Sequence, residues 1–140
     1  MANPANSLAY RLPDGRMAVD VTEAKTLTVD DCGYVQNVIY ANGVVTLPAT
    51  ATLGTWTIRN GGLPVNASGP AGATMNGNKI SVSPNASDKI QGGVSGTATD
   101  DKDLINTAAT ARVGDEVTIV NLAQTDGPLV HRISGIWARE

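Results

Sequence analysis

Residues 114–120 read GDEVTIV and residues 55–60 read TWTIRN. In the first run Val117 and Ile119 alternate with Thr118. In the second, Trp56 and Ile58 alternate with Thr55 and Thr57. Successive side chains of an extended chain point to opposite faces, so each run sends its large apolar residues one way and its threonines the other. The pattern recurs with Val45 and Leu47 in VVTLP, Ile80 and Val82 in KISVS, and Leu27 and Val29 in KTLTV. Valine and threonine both suit strands. The expected core is Leu27, Val45, Leu47, Trp56, Ile58, Ile80, Val82, Val117 and Ile119.

Turn signals separate these runs. Leu12-Pro13-Asp14-Gly15 has proline at the second turn position and glycine at the fourth, which predicts a type I turn with a glycine bulge. Asn42-Gly43, Gly61-Gly62, Asn76-Gly77-Asn78, Gly92-Gly93, Gly114-Asp115 and Asp126-Gly127 mark further reversals. Short strands with frequent turns predict an all-β fold, a compact sandwich or barrel of short antiparallel strands. One segment, DDKDLINTAATARV, has Leu104, Ile105, Ala108 and Ala109 on one side of a possible short helix, but the extended reading of INTAATARV is preferred.

The chain divides into an N-terminal arm, residues 1–24, and a β domain, residues 25–140. LAYRLPDGRMAVDV forms one hairpin, and a lone hairpin is marginal in water. The arm is therefore either an edge ribbon of the domain or a ribbon that docks on a partner. Residues 63–78, rich in Gly, Ala, Pro and Asn, are expected to form a long surface loop.

With 140 residues, folding buries roughly two thirds of the unfolded chain's surface. The chain has no Phe, 2 Trp and 3 Tyr, so its core is built of smaller side chains, and neighbouring subunits are expected to contribute stability. Net charge is −3 with no basic run, so nucleic acid is not an expected partner. No apolar run approaches a membrane span, and the N-terminus does not read as a secretory signal. The single cysteine, Cys32, precludes an intrachain disulfide and fits folding in a reducing cytosol. Asn66-Ala67-Ser68 and Asn85-Ala86-Ser87 match the glycosylation pattern by chance on this reading.

Candidate chemistry is sparse. His131, the only histidine, stands in LVHRIS without a legible nucleophile or orienting acid. Cys32 follows two acids, which disfavours its thiolate, and the two residues together are too few for zinc. Asp30-Asp31 and Asp100-Asp101-Lys102-Asp103 lack calcium-loop spacing and are expected to be solvated. Trp137 is a possible sugar platform, whereas Trp56 is expected in the core. In SPNASDKIQGG, residues 83–93, the Asp88-Lys89 pair is expected in water and Ile90 in the core, with Gly92-Gly93 permitting a reversal or a close backbone contact. No catalytic, cofactor or metal site is assigned, and an enzyme is not expected.

Taken in order, the runs KTLTVDDCGYVQNV, GVVTLPAT, LGTWTIRNGG, KISVSPNASDKIQGG, LINTAATARVGDEVTIVNL and DGPLVHRISGIWARE resemble a group of small structural proteins of tailed bacteriophages. That group includes head decoration (cement) proteins and related modules on tail fibres. The resemblance covers residues 25–140. It implies a virion protein, made in the bacterial host cytoplasm, that binds the outer capsid surface and bridges subunits of the major capsid protein. The small-residue core predicts a homotrimer, with a dimer as runner-up, and no cofactor is expected. The alternative is a receptor- or glycan-binding module of a tail fibre or baseplate. Tyrosine and arginine dominate binding hot spots. Leu8, Tyr10, Arg11, Leu12, Arg16 and Met17 of the arm are accordingly the expected contacts to the capsid or a neighbouring subunit.

Overall fold

The computed structural model describes residues 8–63, 78–122 and 127–140. The described strands, in chain order, are β1 (Tyr10–Arg11), β2 (Met17–Val21), β3 (Lys25–Thr26), β4 (Val35–Val38), β5 (Gly43–Thr46) and β6 (Gly54–Asn60). They continue as β7 (Ile80–Ser83), β8 (Leu104–Asn106), β9 (Glu116–Asn121), β10 (Leu129–Ser134) and β11 (Ala138–Arg139). They form two packed sheets, one in the order β1-β2-β4-β6-β9-β10, the other β11-β8-β7-β5-β3. The protein is an all-β sandwich.

Between the sheets lie Leu27, Val45, Leu47, Trp56, Ile58, Ile80, Val82, Val117 and Ile119, each at most 1 % exposed. Val21, Val38, Ile90, Leu104 and Trp137 complete this core. Period two thus places every expected core residue correctly. Val29 is the exception to its run. It leaves the strand after Leu27 because Val29–Asp31 form a single 3-10 turn, capped at Thr28 by the Asp31 carboxylate, and it ends exposed.

The strands are not all antiparallel. β2, β4 and β6 run parallel, as do β3, β5 and β7. The remaining described ladders are antiparallel. From β2 to β7 consecutive strands alternate between the sheets, so the chain winds around the core. Each link to the next parallel strand in one sheet passes through a strand of the other, which supplies the long crossover that parallel neighbours require. Hydrophobic alternation reports which face is buried but is blind to this winding.

The segment set apart as an arm is not separate in its described part. Gly15, at φ +91°, closes the hairpin with Gly15 N donating to the Leu12 carbonyl at 2.9 Å. β2 is then an interior strand, paired with β1 on one side and β4 on the other, and Ala18, Val19 and Val21 are buried. Residues 1–7 lie outside the described residues, as do residues 64–77 of the expected loop, the Asn66 pattern and Asp126. INTAATARV opens with β8 and continues as a turn.

Buried amides pin the ends of the sandwich. Asn60 Nδ2 donates to Asn106 Oδ1 and to the Asn78 carbonyl, each at 2.7 Å, and Asn106 Nδ2 donates to Asp115 Oδ2 at 3.0 Å. Elsewhere Asn121 Nδ2 gathers the carbonyls of Pro48, Ala49 and Thr52. The Asn60 and Asn106 amides are tolerated inside because both their donors and their acceptors are engaged, whereas Asn121, among the described residues, engages its Nδ2 alone.

Candidate functional site

Cross-strand pairing aligns Asp20 of β2, Asn37 of β4, Arg59 of β6 and Glu116 of β9 in one row. The next row, Val19, Gln36, Ile58 and Val117, faces the core, so the polar row faces outward. Tyr10 of β1 joins it, its hydroxyl donating to Asp20 Oδ1 at 2.5 Å. Asn37 Nδ2 donates to Asp20 Oδ1 at 3.1 Å and to the Tyr10 hydroxyl at 3.2 Å, and Arg59 Nη1 donates to Asn37 Oδ1 at 2.7 Å. Arg16, from the hairpin turn, crosses the outer face to grip Glu116 with two bonds, at 3.0 and 2.6 Å, while its Nε donates to Asp14 at 2.9 Å.

The electrostatics follow from these contacts. Arg16 holds the Asp14 carboxyl below its ordinary range, and its bonds to Glu116 and Asp14 push its own pKa up. Partial burial, then the Asp20 carboxylate, raise the Tyr10 hydroxyl. The stripe is a chain of mutually engaged donors and acceptors that ties the hairpin to the sheet.

Of the six expected contact residues, the stripe unites Tyr10 and Arg16. Arg11 donates instead to the Gly15 carbonyl at 3.1 Å. Leu12 and Met17 are half-buried, and Met17 lines a groove of about 290 Å³ with Arg16, Tyr34 and Thr57. Leu8, 78 % exposed, stands just before β1 at the sheet edge. Sequence reasoning missed Asp20, Asn37, Arg59 and Glu116. Their polar alternation was visible, but their alignment depends on the winding order of parallel strands.

The remaining candidates have structural surroundings. Asp31, expected in water, is buried in the cap of the 3-10 turn, and Asp103 accepts from the Ser83 hydroxyl at 2.7 Å. Asp88 is half-buried rather than solvated, its carboxylate accepting from Thr50 N at 3.1 Å. His131 is exposed on β10, at a register shift. Trp137 is buried and donates to the Ser134 carbonyl at 2.9 Å. Cys32 is half-buried beside Gly54. Among the described residues no three His, Cys, Asp or Glu side chains converge as metal ligands, and no helix is long and apolar enough to cross a membrane.

The Gly92-Gly93 turn makes a close backbone contact. Gly93 packs on the Val130 side chain, where a Cβ would collide, and Arg139 Nη2 donates to the Gly92 carbonyl at 3.1 Å. An open groove of about 830 Å³ lies between Ala108–Arg112 and Gly135-Ile136, with Asp115 at its wall. No protein-family model matches the chain, and no curated protein matches it.

Proposed function

We infer that this chain is a capsid decoration protein of a tailed phage, seated on the outer shell as a homotrimer and bridging neighbouring subunits of the major capsid protein. The ordered resemblance of residues 25–140 supports this reading. The observation that carries it further is the edge of the six-stranded sheet at β1, which no other strand covers among the described residues. Leu8 is exposed there, and Tyr10 and Arg11 follow it on a strand that, among the described residues, pairs only with β2.

A free edge offers main-chain donors and acceptors to an added strand, and its side chains supply specificity. Leu8 provides an apolar anchor, and Tyr10 a large contact surface already held in place by Asp20 and Asn37. A partner met by such an edge loses little freedom in ordering it. Seating across neighbouring capsid subunits favours the assembled shell over dissociated subunits by mass action, so the effect is mechanical and uses no cofactor.

Electron microscopy of purified virions locates the protein, and density on the capsid surface is the expected result. Density on a tail fibre or baseplate replaces this reading with the receptor- or glycan-binding one. Leu8→Asp is expected to weaken binding to shells at least about tenfold, roughly 1.4 kcal/mol, without moving the urea midpoint. Light scattering of the free and shell-bound protein tests the trimer, and a monomer in both overturns it.

A further inference from the structure

Lys25 and Gln36 occupy positions that period two reserves for apolar side chains. Lys25 pairs with Val45, which is fully buried, and is followed at the next inward position by Leu27. Gln36 lies between Val19 and Ile58 on the inner face of the other sheet and is 0 % exposed. The two meet across the sandwich, with Lys25 Nζ donating to Gln36 Oε1 at 2.7 Å. Asp31, 1 % exposed, completes the group, its Oδ1 2.9 Å from the same Nζ. Asp31 Oδ2 is taken by Thr28 N at 2.8 Å, whereas Oδ1 accepts no hydrogen bond of ordinary geometry among the described residues.

A half-buried ammonium against a buried carboxylate and a buried amide is expensive to desolvate, and apolar side chains of similar volume often serve stability as well or better. Their arrangement has a chemical use. The carbonyl bond is about 1.2 Å long, so Nζ lies within about 4 Å of the Gln36 Cδ, close to the separation of a poised nucleophile. A carboxylate within hydrogen-bonding reach of that nucleophile is positioned to move its protons.

We propose that Lys25 and Gln36 condense to an intramolecular isopeptide bond with Asp31 as the proton shuttle. The Lys25 ammonium gives one proton to Asp31 Oδ1, and the freed lone pair forms a bond from Nζ to Cδ. A second proton then leaves Nζ by the same carboxylate. Both protons end on Nε2 as the Cδ–Nε2 bond breaks, and ammonium departs. The products are a secondary amide and a regenerated carboxylate, and neither oxidant nor reductant takes part. The bond staples β3, at the edge of its sheet, to β4 in the opposite sheet.

The test is the intact mass of the purified full chain. A deficit of one ammonia is expected, with tandem mass spectrometry finding the peptides of Lys25 and Gln36 joined and no tryptic cleavage after Lys25. Lys25→Arg is expected to restore the full mass. Ammonia lost instead by succinimide formation at Asn42-Gly43 persists in that variant. Asp31→Asn, checked for folding by circular dichroism, is expected to leave the two peptides unlinked. A wild-type chain at full mass, yielding separate peptides for Lys25 and Gln36, overturns the proposal and leaves a buried ion pair.

Discussion

Ile58 lies opposite Gln36 on one side and Val117 on the other, fully enclosed between the sheets. Truncation there removes transfer energy and leaves a cavity. Ile58→Ala is expected to destabilise the protein by about 2–5 kcal/mol, and Val117→Ala by less, both read as lowered urea midpoints. Gly127 is as exacting for a different reason. Its φ is +111°, and a Cβ would strike the Lys89 carbonyl, so Gly127→Ala is expected to cost about 1–3 kcal/mol by the same measurement. Asp103 makes a residue-scale prediction in pH. Burial, then the Glu140 and Asp101 carboxylates, raise its pKa against the bond from Ser83 and the charge of Lys79. A carboxyl raised in the folded state contributes stability that is full below its unfolded pKa and is lost as pH rises through the folded value. Asp103→Asn is therefore expected to raise the urea midpoint at neutral pH, and the gain should vanish as pH falls below the normal carboxylate range. Individual core residues were legible because each needs only the parity of its own strand. Lys25 shares that parity with Leu27 but was not legible, because a lysine beside a threonine reads as solvent-facing until the partner sheet is known. Asp31 was hidden because a capping acid and a solvated acid look alike in sequence.

The hairpin β1–β2 joins the sheet through an interior strand, and Arg16 fastens its turn to Glu116 on β9. Deleting residues 1–24 removes Ala18, Val19 and Val21 from the core, so the truncated chain is expected to lose its cooperative urea transition. Arg16→Ala addresses the fastening alone. Exposed ion pairs contribute within about 1 kcal/mol, so the midpoint should move little. The amides of Ala18–Val21 should nonetheless exchange faster with deuterium, because local opening no longer breaks the grip on β9. Strand existence was legible for β5, β6, β7 and β9, whose alternation is regular. The polar stripe was not. Its members come from β1, β2, β4, β6, β9 and the hairpin turn, and no local pattern states that β2, β4 and β6 lie side by side.

At the scale of the whole molecule the described ladders join residues far apart in sequence, as in β6 with β9 and β7 with β8. Closing such loops before their contacts form is slow, and refolding from urea is expected on the order of milliseconds to seconds. Stopped-flow fluorescence of Trp56 and Trp137, both buried, follows it, and a microsecond phase that recovers the full signal would show the topology to be misassigned. The winding from β2 to β7 has a further consequence during synthesis. Because consecutive strands fall on opposite sheets, a nascent chain does not have to wait for its far end before shielding apolar surface. Each new coil is expected to settle on the coil just released, so that both layers grow together. β8 to β11 emerge last, as a lid of antiparallel strands over a stack already laid down.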